Sequence, residues 1–168
     1  MKLFSIPSCV YMSTVPQHDM IKPFILQLIE TMGEHRHEFI FNTDWHLGKE
    51  TNRAYYDIVR PIMENHNEEI RTLLGYEKMT VLNYWFQQYK TGDYHGWHIH
   101  NACVFSNVYF VNLTGDNPKT KFRYLGEEFS VPVEEGTIIT FPSYLQHQSP
   151  ENTSTETKTV IAWNTDCN

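Results

Sequence analysis

The chain has 168 residues, 40% of them hydrophobic and 14% aromatic, a length that one domain accommodates and a composition that can fill a sizeable core. Its net charge of -7 argues against a general nucleic-acid binder or a partner for anionic membranes. The three cysteines, Cys9, Cys103 and Cys167, lack CxxC spacing, Met1 to Pro7 is too short an apolar run for a signal peptide, and no run reaches the roughly 20 apolar residues of a membrane span. A cytoplasmic protein with reduced thiols is therefore expected.

The first dozen residues, around Pro7, alternate apolar and small positions and can add an edge strand. Ser13-Thr14-Val15-Pro16-Gln17 supplies caps and a proline for a helix start. Phe24, Ile25, Leu28, Ile29 and Met32 follow at helical spacing up to Gly33, and His35 to Lys49 shows no clear period. Asn52 to Leu74 carries an apolar stripe of Tyr55, Ile58, Val59, Ile62, Met63, Ile70, Leu73 and Leu74, ending before Gly75. Pro61 is expected to kink or split this helix, because proline removes one backbone donor.

From Met79 the period becomes strand-like. Strands are expected over Met79–Tyr89, Gly96–His100, Cys103–Leu113, Lys121–Tyr124, Glu128–Val133, Thr137–Phe141 and Lys158–Asn164, with a strong turn at Thr114-Gly115-Asp116-Asn117-Pro118. Along Cys103–Leu113, Val104, Ser106, Val108 and Phe110 share one face, and Phe105, Asn107, Tyr109 and Val111 the other. Helices followed by many short strands read as a single domain over 1–168. Residues 1–78 form a helical support layer and edge strand, and 79–164 the core of a double-stranded β-helix of the jelly-roll or cupin type, with the N-terminal helices packed on one sheet.

His98-Ile99-His100 is the most informative segment. Residues two apart on a strand share a face, so both imidazoles stand on one surface. Imidazole is the commonest side-chain ligand of transition metals. A third histidine, His147, follows the strand Gly136 to Phe141 and the turn at Pro142. Two ligands from one strand and one from a distant segment can build a three-coordinate metal site at a barrel mouth, leaving open positions for other ligands. His95 lies close enough to support it, whereas His18, His35, His37, His46 and His66 read as surface or satisfied core histidines. Lys158 shares a strand face with Val160, Ala162 and Asn164, which suggests a pocket with a cation at its base. A buried lysine needs an anion, and the distal carboxylate of 2-oxoglutarate would supply one.

The segments Trp85, Gly92-Asp93-Tyr94, His98-Ile99-His100, Ser106-Asn107-Val108-Tyr109, Phe141-Pro142-Ser143-Tyr144-Leu145-Gln146-His147 and Asn164 resemble the pattern of 2-oxoglutarate/iron(II)-dependent oxygenases. The likeness is to a small group of phage and marine-bacterial type with an HxH…H motif, and it covers about residues 80 to 164. It implies iron(II) held by His98, His100 and His147, a 2-oxoglutarate anchor at Lys158, and hydroxyl donors to that co-substrate at Tyr89 and Tyr109. His100 stands where most of the wider superfamily has a carboxylate. Lys158 stands where close relatives more often have arginine, and lysine keeps the charge but loses the bidentate fork.

The reaction implied consumes O2, releases succinate and CO2, and hydroxylates a substrate, with ascorbate as an accessory reductant. The substrate would be a small molecule or a peptide, shaped by aromatics such as Trp85, Phe86, Trp97 and Tyr144. No membrane or nucleic-acid partner is expected, and a homodimer is left open. Two alternatives remain at this stage: a cupin-type three-histidine dioxygenase, and a non-catalytic barrel with a binding or structural role.

Overall fold

The computed structural model describes residues 8–48 and 50–168. Residues 1–7, with the expected alternation around Pro7, and Lys49 lie outside them. In chain order the elements are β1 (Tyr11–Thr14), α1 (His18–Thr31), β2 (Asn42–Thr43), α2 (Tyr56–Leu74), β3 (Met79–Tyr89), β4 (His95–His98), β5 (Phe105–Asn112), β6 (Lys121–Tyr124), β7 (Glu127–Ser130), β8 (Thr137–Pro142), β9 (Gln146–Ser149) and β10 (Lys158–Cys167).

Ten strands form two antiparallel sheets. The six-stranded sheet runs β1-β8-β5-β10-β3-β2, and the four-stranded sheet runs β4-β9-β6-β7. The two face each other as a double-stranded β-helix. β1 is the expected edge strand and pairs with β8, Tyr11 opposite Thr140. The short strands β2 and β9 carry no periodic signal of their own, because two to four residues are too few to show alternation.

Two cores result from the alternation of side chains along the large sheet. Its outer face packs on the helices through Ile25, Ile29, Val59, Met63, Tyr109 and Trp163. Its inner face meets the small sheet through Phe110, Phe122, Ile139, Phe141 and Val160. Burial of this much apolar surface is the main stabilising contribution, at roughly 25 cal/mol per Å².

Both helices form where the apolar stripes lie. α2 stays one helix through Pro61, contrary to the expected break. Pro61 lies in its second turn on the solvent side, and the buried positions Val59, Met63, His66, Asn67 and Ile70 continue at helical spacing beyond it. Leu73 stands 67% exposed, outside the stripe assigned to it. The helix ends at Gly75, whose φ of 75° and N–H bond to the Arg71 carbonyl make a left-handed cap that favours glycine. Gly136 is required for a second reason: at φ +83° its backbone passes His18 so closely that a Cβ would sit 2.9 Å from the ring.

His66 is a satisfied core histidine, and His18 is a core histidine whose Nε2 makes no hydrogen bond among the described residues and lies 3.3 Å from the Glu135 carboxylate. His18 Nδ1 pairs with the Tyr109 hydroxyl at 2.7 Å. His66 lies between the hydroxyls of Ser13 and Thr140, at 2.8 and 2.5 Å. The three cysteines are free. Among the described residues no helix is long and apolar enough to cross a membrane.

Candidate metal centre and its cavity

The three histidines of the expected site converge. One ring nitrogen from each of His98, His100 and His147 lies within 4.8 Å of the others. His98 and His147 are cross-strand partners in β4 and β9, and their ring centroids are 4.2 Å apart. His100 arrives differently from the expectation. β4 ends at His98, so the two residues do not share a strand. His100 lies beyond the strand end, where its N–H donates to the Ser143 carbonyl at 3.0 Å. Ile99, 48% exposed, turns outward between them.

Each ring is held by its other nitrogen. His98 Nδ1 faces the Gly96 carbonyl at 2.7 Å, His147 Nδ1 the Leu145 carbonyl at 3.0 Å, and His100 Nδ1 the Asn164 side-chain oxygen at 2.7 Å. A carbonyl oxygen only accepts, so each Nδ1 must carry the hydrogen. Each Nε2 is then an unprotonated lone pair, which is what a metal ligand requires. Burial lowers the basicity of all three rings, and the neighbouring histidines lower that of His147 further, to a pKa of about 2. Three neutral, oriented imidazoles with free lone pairs fit a divalent transition metal; borderline nitrogen donors of this kind suit iron(II) or zinc.

In the sequence Asn164 ends the motif and shares a strand face with Lys158, and its task becomes visible through register. β10 pairs with β5 so that Asn164 lies opposite Ser106. The Ser106 hydroxyl donates to the same Asn164 oxygen at 3.0 Å, which orients the amide toward His100. Trp85 stacks on His100, with centroids 5.8 Å apart, and His95 stacks on His98 at 3.9 Å. A bulge in β4 puts His95 and His98, three residues apart, on one side. Sequence reasoning placed His95 nearby; the stack needed the bulge.

The triad opens into a cavity between the two sheets, lined by Trp85, Gln87, Tyr89, Ser106, Val160 and Lys158 among others. Lys158 lies in its wall, 1% exposed. Its ammonium donates to the Pro118 carbonyl at 2.9 Å and the Ser149 hydroxyl at 3.0 Å. Among the described residues no carboxylate lies within ion-pair distance of it. An ammonium has three donors, and burial without an anion pushes the Lys158 pKa down to about 7. The cavity thus holds a buried cation with one donor to spare. The Pro118 carbonyl is brought there by the predicted turn, which Asn117 ties to the Asn152 side chain at 3.1 Å.

Tyr89 lines this cavity and donates to the Gln87 side chain at 3.0 Å. Tyr109 does not line it. It lies on the opposite face of the large sheet, buried against α1 with its hydroxyl on His18, so the expectation that it binds a co-substrate is corrected. The alternation of β5 is the reason: Ser106 and Val108 point inward and Tyr109 outward. Of the four aromatics expected to shape a cleft, Trp85 does so. Phe86 is core against the helices, Trp97 carries Arg123 on its ring face, and Tyr144 is exposed.

The fold is a double-stranded β-helix, and at the mouth of its barrel three histidines are grouped so that they could hold a metal ion. No family model matches the chain, and no curated protein matches its sequence. Solved structures match it closely in fold. An oxidoreductase of the 2OG-Fe(II) oxygenase family from Burkholderia pseudomallei gives a TM-score of 0.73 at 11% identity, over 94% of this chain and 84% of that one. A Pseudomonas putida prolyl-4-hydroxylase gives 0.66 at 14% identity, over 92% and 91%. A viral collagen prolyl hydroxylase from Paramecium bursaria Chlorella virus-1, in its 2-oxoglutarate complex, gives 0.61 at 11% identity, over 92% and 94%. The fold of this chain is that of the 2-oxoglutarate/iron(II) oxygenases, as the sequence motifs suggested.

Proposed function

We propose that this protein is a 2-oxoglutarate- and iron(II)-dependent oxygenase of the hydroxylating kind. One observation carries the reading: three neutral imidazoles with free Nε2 lone pairs open into the same cavity as a buried ammonium that has no carboxylate partner among the described residues. A metal at one end and a cation at the other suit a ligand with a chelating head and a distal carboxylate. 2-Oxoglutarate is such a ligand.

In this reading His98, His100 and His147 hold iron(II). Lys158 and Ser149 hold the distal carboxylate, and Tyr89 shapes the wall between them. Three neutral ligands leave the metal its full double charge, half of which the chelating carboxylate of the co-substrate would offset. Bound iron and 2-oxoglutarate together supply the oxidising power: O2 and a substrate C–H bond become C–OH as 2-oxoglutarate becomes succinate and CO2. The chain's own part is to orient the imidazoles through Gly96, Leu145 and Asn164, to anchor the anion, and to exclude water with Trp85, Phe141 and Val160. Ascorbate would keep the iron reduced between turnovers.

An anaerobic titration with iron(II) and 2-oxoglutarate tests metal, co-substrate and reaction class together. A visible charge-transfer band that needs both components is expected. Tight iron binding without that band would sink the co-substrate assignment, and no iron binding would sink the whole reading.

A further inference from the structure

Outside the metal site lies a second, wider cleft. It shares Trp85, Gln87, His95, His98 and His100 with the inner cavity, so anything bound there touches the triad. Its empty volume is about 1040 Å³, against about 480 Å³ inside. The chemistry of its wall is lopsided.

Among the described residues Glu38 is the one carboxylate that lines the cleft, and no lysine or arginine does. The nearby guanidiniums are engaged elsewhere: Arg36 pairs with Asp93 at 3.1 Å and Arg53 with Asp44 at 2.7 Å. The remaining wall is amides, such as Asn83 and Asn101, and apolar surface from Ile99, Trp45 and Trp85.

Glu38 and Trp45 are both preorganised. Glu38 adopts φ +51°, a left-handed conformation that non-glycine residues occupy at a cost. It is held there at the tip of a two-residue hairpin closed by bonds between His37 and Ile40 in both directions, at 3.2 and 2.9 Å. Next to it Phe39 stacks on Tyr94 at 4.6 Å. Trp45 is 49% exposed, yet its edge rests on Trp85 at 4.5 Å and 67°. Its N–H donates to the Thr43 hydroxyl, and the preceding Asp44 is clamped by Arg53 and Tyr55. A carboxylate carried on a fixed hairpin tip and an indole held at its edge, lining one cleft with no lysine or arginine among its described residues, suit a positive group over the ring.

We infer that this cleft is the substrate site and that it selects an organic cation, an amine or guanidinium, over neutral and acidic analogues. The inference rests on the oxygenase reading for the word substrate, but the preference for charge rests on the cleft itself.

The test is equilibrium binding at pH 8, where imidazoles are neutral, read by tryptophan fluorescence on the full chain. The probes are Nα-acetyl-lysine amide, its Nε-acetylated neutral analogue, and Nα-acetyl-glutamate amide. The cation should bind at least about threefold tighter than the neutral probe, the range expected of a partly exposed cation–π and ion-pair site. Glu38→Gln should bring the two within about twofold, as a partly exposed ion pair of this strength would predict. A neutral or acidic probe that binds as well as the cation overturns the inference. So does a preference that survives Glu38→Gln, or no saturable binding of the cation below about 30 mM, weaker than any specific site of this kind. Iron(II) titration of the same samples separates the two readings. Intact iron binding with no cation preference removes only the substrate class. Absent iron binding removes the oxygenase reading and with it the cleft's description as a substrate site.

Discussion

His100 Nδ1 and the Asn164 side-chain oxygen lie 2.7 Å apart, although His100 follows β4 of the small sheet and Asn164 belongs to β10 of the large one. That bond fixes which nitrogen of His100 is free, and the Ser106 hydroxyl fixes the amide in turn. Asn164→Ala should therefore weaken iron(II) binding about 10–100-fold, as losses of outer partners of metal-bound histidines do. Asn164→Asp keeps the acceptor and should retain most of the affinity. Isothermal titration of both variants checks this, and equal losses would show that the hydrogen bond is not what matters.

His147 is the most buried of the three candidate ligands, and its strand partner is another of them. His147→Ala should abolish iron binding, with the fold retained because the ring faces a cavity. A metal titration beside a circular dichroism spectrum checks both halves of that statement.

Lys158 is expected to matter for the co-substrate and to burden the free protein. Lys158→Ala should weaken 2-oxoglutarate by at least about tenfold, the scale of a lost hydrogen-bonded charge, while changing iron affinity little. Equal losses of both would count against its role as anchor.

The same lysine predicts a pH dependence. Its pKa in the folded chain is about 7, below the ordinary 10.5. Between those values the unfolded chain binds more protons than the folded one, so stability rises with pH across that window. Below pH 7 the whole cost of burying the charge is present. Lys158→Met should thus raise the melting temperature more at pH 6 than at pH 10, by thermal unfolding in the absence of ligand. Binding an anion reverses the shift, so 2-oxoglutarate affinity should fall as pH rises above 7.

Asp44 accepts from Arg53 Nε at 2.7 Å, the Tyr55 hydroxyl at 2.7 Å and the Phe86 N–H at 2.8 Å, with no exposure to solvent. Asp44→Ala takes the carboxylate from the Arg53 guanidinium, which keeps its bonds to backbone carbonyls, and leaves the Tyr55 hydroxyl and Phe86 N–H without this acceptor. It should cost about 3–5 kcal/mol in a urea melt. The loop carrying Trp45 should loosen with it, seen as a shift in tryptophan emission.

The sequence by itself determined both helices, most of the strands and the choice of His98, His100 and His147 as candidate metal ligands. It could do so because alternation along β3, β5 and β10 and the stripe of α2 are local signals of burial, and because three histidines in strand-and-turn settings are chemically distinctive. Lys158 was legible in the same way, as a cation on a strand face of small side chains. Other features were decided by tertiary structure alone. The β4 bulge that stacks His95 on His98, the delivery of His100 from beyond a strand end, and the turning of Tyr109 to the helices all depend on register between strands far apart in the chain. The same holds for Asn164 reaching His100 and for Ser149 and Pro118 meeting Lys158. A hydrogen bond across sheets is set by how two distant segments pair, and no local pattern of residues encodes that pairing.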